Sequence, residues 1–269
     1  MDGAPLMPHI LAFTSTPEVT DAVGAVMTAL ARTLHLTAEQ RALPTGTHGT
    51  CAAVLRAVDE PTVRLAILPY SPGSASILVT EVIRQCPKPI VLVPRDLRAA
   101  APELIERILV PLDGTAESAE TVAETVALYA ASGADIVVLH VFDETTVPKF
   151  WDQAVHARKS WHEEFLARYC DHPDARLELR TGSPGESIVD VAATEQADLI
   201  ALSWEQNLSP GRARTIRIAV AQSKAPILLL PFPARTPGTV RGALQGSRQR
   251  QGHDTRPGQH GLPSRPPQS

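Results

Sequence analysis

Short apolar runs alternate along most of the chain with longer segments whose apolar residues recur every three or four positions. RILVP (107–111) is such a run. It ends in the loop Leu112-Asp113-Gly114-Thr115, and helical spacing then continues through Tyr129. Gly133 closes that helix, and DIVVLHVF, beginning at Asp135, reads as a buried strand carrying Val137, Val138, Leu139 and Val141. A helix over 148–169 places Trp161, Phe165 and Tyr169 on one face. RLELR (176–180) alternates as a strand, after which Ser183 and Pro184 stand as cap and first position of a helix. DLIALS (198–203), a loop, a helix over 212–223 and PILLLP (226–231) complete the unit. Five strands alternating with four helices require right-handed parallel crossovers, which predicts a doubly wound, Rossmann-like α/β sheet.

The same order occurs earlier in fewer residues. HILAFTS (9–15), a helix over 17–35, a weak extended piece at 38–43, a helix over 48–58, VRLAILPY (63–70), a helix over 74–86 and PIVLVP (89–94) follow one another. HILAFTST aligns with RILVPLDG, so Ser15 falls where Asp113 lies. Ser71-Pro72-Gly73 precedes PIVLVP as Ser209-Pro210-Gly211 precedes PILLLP. A tandem duplication accounts for both matches, with one strand–helix pair missing from the first copy. The expected organisation is therefore two five-stranded-type parallel sheets in tandem, the first shortened: residues 1–97, then 98–233, then a tail over 234–269.

That tail holds five Pro, six Gly and six Arg in 36 residues, too little apolar surface to offset ordering, and is predicted to be disordered. Its net charge of +5 leaves −9 on residues 1–233, which argues against nucleic-acid binding except through the tail. Aromatics make up 4% of the chain and the core is aliphatic, as in parallel sheets covered by helices. Cys51, Cys86 and Cys170 are odd in number and lack C-x-x-C spacing, so a reducing cytoplasm is expected. No apolar stretch is long enough to span a bilayer, and no membrane association is expected.

RILVPLDGTAESAETVAETVALYAASGADIVVLHVF, LRTGSPGESIVDVAATEQADLIALS and APILLLP together resemble the universal stress protein family, well over 106–231 and loosely over 8–94. The resemblance implies a five-stranded α/β fold, ATP binding in many members without evident turnover, and dimerisation through the last strand. For this chain it implies a homodimer, or an intrachain pseudo-dimer through 89–94 and 226–231. The acid after the first strand corresponds to Asp113, flanked by Pro111 and Gly114, and the adenine-side residue of the second strand to Val141. A carboxylate at that point can hold ribose hydroxyls or a metal-bound phosphate, or it can simply cap the following helix with Thr115.

The family's phosphate element, G-x-x-G, nine residues, then G followed by Ser or Thr, is replaced by the segment from Ser203 to Thr215, where Gly211 alone survives as glycine. Trp204 and Glu205 stand where open backbone is needed. Arg212, Arg214 and Thr215 at a helix start offer a substitute anion site, or the arginines face solvent and pair with nearby acids. His140 reads as a core histidine, Trp161, Phe165 and Tyr169 as sheet cover, and His156, His162, Cys170 and His172 lack metal-site spacing. With no catalytic constellation visible, the expected function is a non-catalytic stress or regulatory protein acting through a ligand or an unknown protein partner. The competing reading is a nucleotide- or anion-binding sensor, with ATP or another phosphate-bearing ligand at Asp113 and the 209–215 loop and slow hydrolysis.

Overall fold

A computed structural model describes residues 7–15, 17–43, 50–71, 77–97, 103–142, 155–170, 172–206 and 213–232. The first half contains β1 (His9–Thr14), α1 (Pro17–Leu34), β2 (Thr37–Ala42), α2 (Thr50–Asp59), β3 (Val63–Tyr70), α3 (Ile77–Gln85) and β4 (Ile90–Pro94). The second contains β5 (Arg107–Pro111), α4 (Ala116–Ala131), β6 (Asp135–Phe142), α5 (Val155–Tyr169), β7 (Arg176–Thr181), α6 (Pro184–Thr194), β8 (Leu199–Trp204), α7 (Arg214–Gln222) and β9 (Ile227–Pro231).

These strands form one nine-stranded sheet in the order β2-β1-β3-β4-β9-β8-β5-β6-β7, which corrects the expectation of two separate sheets. Every pairing is parallel except that of β4 with β9, where Ile90 faces Leu229 and Leu92 faces Ile227. The physical reason is edge satisfaction. IVLVP and ILLLP are apolar on both faces, and side by side each supplies the hydrogen-bonding partner that the other's edge would otherwise lack. Because the join is antiparallel, the carboxyl ends of the two sets of parallel strands lie at opposite ends of the sheet. The first half has four strands where the second has five, and β2 is an edge strand with four of its six residues exposed.

Two apolar cores lie on the two faces, and each runs through both halves. One joins Ile10, Val26, Leu30 and Val91 to Ile108, Val126, Tyr129 and Leu228. The other joins Leu11, Val58, Val82 and Leu92 to Leu109, Ile188, Ile216 and Leu229. At the join, the Trp204 indole N–H donates to the Ile83 carbonyl at 3.0 Å, and the Ile105 N–H donates to Thr33 Oγ1 at 2.9 Å. No helix of the described residues is long and apolar enough to cross a membrane.

Local chemistry sets the helix starts that frame the site. Thr115 caps α4 in an extended conformation, its hydroxyl accepting from the Ser118 N–H at 3.2 Å. Ser183 precedes α6 with Pro184 in its first turn, but its side chain makes no cap hydrogen bond, so there proline's fixed φ does the starting.

Candidate functional site

A cleft of about 630 Å³ opens at the carboxyl ends of β5, β6 and β8, where the strand order reverses between β8 and β5. Ligands of open α/β sheets enter at such switch points because adjacent crossovers run to opposite faces and leave a crevice between them. β5 delivers Pro111, Leu112, Asp113 and Gly114 to the cleft; β6 delivers Leu139, His140, Val141 and Phe142. Trp161, Glu164, Phe165 and Arg168 come from α5, and Thr215 and Ile216 from the start of α7. Of the positions singled out in the sequence, Pro111, Asp113, Gly114, Val141 and Thr215 line this one cleft.

Asp113 is exposed, and its Oδ1 accepts from the Thr115 N–H at 2.9 Å and the Thr115 hydroxyl at 2.7 Å. It therefore braces the cap of α4 and lines the cleft at the same time. Gly114 adopts φ +83°, a conformation that favours glycine, and a Cβ there would sit 3.4 Å from His140 Cε1.

The phosphate side is different. Arg214 is exposed at the first position of α7 and stands outside the cleft lining, while Gly211 and Arg212 lie outside the described residues. Ala213 precedes α7 without a side-chain cap. Trp204 does not block the opening, because its buried indole is drawn across the sheet join to Ile83. Gln206, two residues on, likewise donates to the Cys86 carbonyl of the first half. The strand end that would hold phosphate in the family is instead tied to the other half of the chain.

Several cleft residues escaped sequence reasoning. His140, expected in the core, is half-buried and lines the opening beside the rings of α5. Its Nδ1 lies 2.8 Å from the Leu112 carbonyl oxygen. A carbonyl can only accept, so Nδ1 carries the proton and Nε2 is left an acceptor in the neutral ring. Phe142, Trp161 and Phe165 pack round it, with centroids 4.6, 5.6 and 4.8 Å from the imidazole. The helical repeat of Trp161, Glu164, Phe165 and Arg168 was the available signal for this wall. Ser118 and Ser203, whose hydroxyls are 3.0 Å apart, close the floor between α4 and β8. Among the described residues no three His, Cys, Asp or Glu side chains gather as a metal site.

Fold and cleft together define a doubly wound α/β protein with an open cleft at its switch point. Residues 105–231 match the model of the universal stress protein family, and this part of the chain belongs to that family. Its fold is similar to a universal stress protein of Archaeoglobus fulgidus DSM 4304, at 15% identity and a TM-score of 0.53, over 73% of this chain and 70% of that one. It is also similar to a functionally unknown protein of Pseudomonas aeruginosa PAO1, at 15% identity and a TM-score of 0.55, over 84% and 83% of the two chains. No curated protein gives a significant match.

Proposed function

We propose that this chain is a non-catalytic regulatory protein of the cytoplasmic stress response that works by holding a small ligand in the cleft of its second half. The observation that carries this reading is the open cleft itself, about 630 Å³ with Asp113 on its rim. The first half has exposed Ser15 in the corresponding place, so one asymmetric site per chain is expected. The antiparallel pairing of β4 with β9 supports reading the chain as its own pseudo-dimer, with those two edges already used. Light scattering should then give the mass of one chain.

Thermal-shift and calorimetric titration of the full chain with small ligands tests the site. At least one ligand should stabilise the protein, and Asp113→Ala should remove that shift. No shift with any nucleotide, phosphate, or neutral or cationic aromatic probe would defeat the ligand-binding reading.

A nucleotide sensor is the second reading, favoured by Asp113 and Val141 both facing the cleft. Micromolar ATP binding that Asp113→Ala abolishes, with slow release of phosphate, would establish it in place of the first.

A further inference from the structure

The geometry points to an organic cation with an aromatic or alkylated head as the ligand of this cleft, a reading that rests on the cleft being a ligand site at all. The wall on the α5 side is a continuous group of rings. His140 meets Phe142 at 4.6 Å and Trp161 at 5.6 Å between centroids, and Phe142 meets Trp161 at 5.1 Å. Trp161 in turn stacks on Phe165 at 4.9 Å. Ring faces carry partial negative charge and attract ammonium groups, the more so where water is partly excluded.

The net charge of the described lining residues has the same sign. Asp113, Glu164 and Glu205 contribute carboxylates, and among the described lining residues Arg168 is the one Lys or Arg. Its guanidinium lies 5.4 Å from the centre of the Tyr169 ring, so this wall already engages a cation of the protein. The His140 Nδ1–H donates to the Leu112 carbonyl and is not available to an anion. Arg214, the described arginine nearest in sequence to the lost phosphate loop, is exposed outside the lining. A triphosphate would face the carboxylates of Asp113 and Glu164 here; a quaternary or protonated amine would find both these carboxylates and the rings.

Calorimetric titration of the full chain with benzyltrimethylammonium, benzyl alcohol, benzoate and ATP tests this, with tryptophan fluorescence as a second readout. The cation should bind saturably and roughly tenfold or more tighter than the alcohol or the benzoate. Trp161→Leu should weaken it roughly five- to thirtyfold, and Glu164→Gln about threefold. Glu164 is exposed on α5, so Glu164→Gln keeps the test open if Trp161→Leu fails to fold. Tighter binding of benzoate or ATP, lost in Asp113→Ala, would overturn the cation and leave the site standing. Cation binding that neither variant changes would also overturn it. Silence from all four probes would overturn the cation and count against the ligand site as well.

Discussion

Tyr129 is 2% exposed in the core beneath α4, and its hydroxyl has no hydrogen-bond partner among the described residues. Burial pushes its phenol well above the usual range and keeps it neutral. An unpaired buried hydroxyl is a net cost, so Tyr129→Phe should raise stability by about 1 kcal/mol in urea denaturation. A loss of stability would mean that the hydroxyl has a partner after all. Single positions were unevenly legible in the sequence. Asp113 could be placed because it follows an apolar run directly and opens a helix. His140 could not, since strand alternation gives the face of a residue but not whether a cleft opens beside it.

Among elements, α6 and α7 pack at a distance that a single glycine permits. A Cβ on Gly185 would lie 2.7 Å from Ile218 Cβ, closer than side-chain carbons approach. Gly185→Ala should therefore cost about 1–3 kcal/mol, read by chemical denaturation, and unchanged stability would refute the close contact. At the amino ends of the second half's strands, Arg107 of β5, Asp135 of β6, Arg176 of β7 and Glu195 after α6 form a ladder, with Asp135 held at 2.9 Å by Arg107 and 3.0 Å by Arg176. Hydrogen bonding from Arg176, and then from Arg107, holds the Asp135 carboxyl below its ordinary value. Its contribution is complete above that ordinary value of 3.8 and is lost as pH falls through the lowered native one. Asp135→Asn should thus cost about 1 kcal/mol at pH 7 and almost nothing at pH 2, measured as urea midpoints. An equal loss at both pH values would exclude the ionised ladder as the cause.

For the whole molecule, both apolar cores cross the join between β4 and β9, and no layer of core belongs to one half alone. Residues 7–232 should accordingly unfold in one cooperative calorimetric transition. Two well-separated transitions would show that the halves are independent and that the shared sheet contributes little. The same join explains the altered phosphate segment. With Trp204 and Gln206 bonded to Ile83 and Cys86, the end of β8 is fixed by packing between the halves.

The sequence by itself determined the succession of strands and helices, the loss of one strand–helix pair from the first copy, and the position of Asp113 at a strand end. Those features depend on periodicity and turn chemistry, which act over a few residues. The resemblance left pairing through 89–94 and 226–231 open between one chain and two; only the tertiary structure decided that these strands join within one sheet and that α5 brings an aromatic wall to the cleft of Asp113. PIVLVP and PILLLP read as buried strands whatever lies beside them, because the backbone groups that pair them carry no signature of their partner. The cleft wall likewise comes from elements far apart in sequence, and their meeting depends on how the crossovers pack.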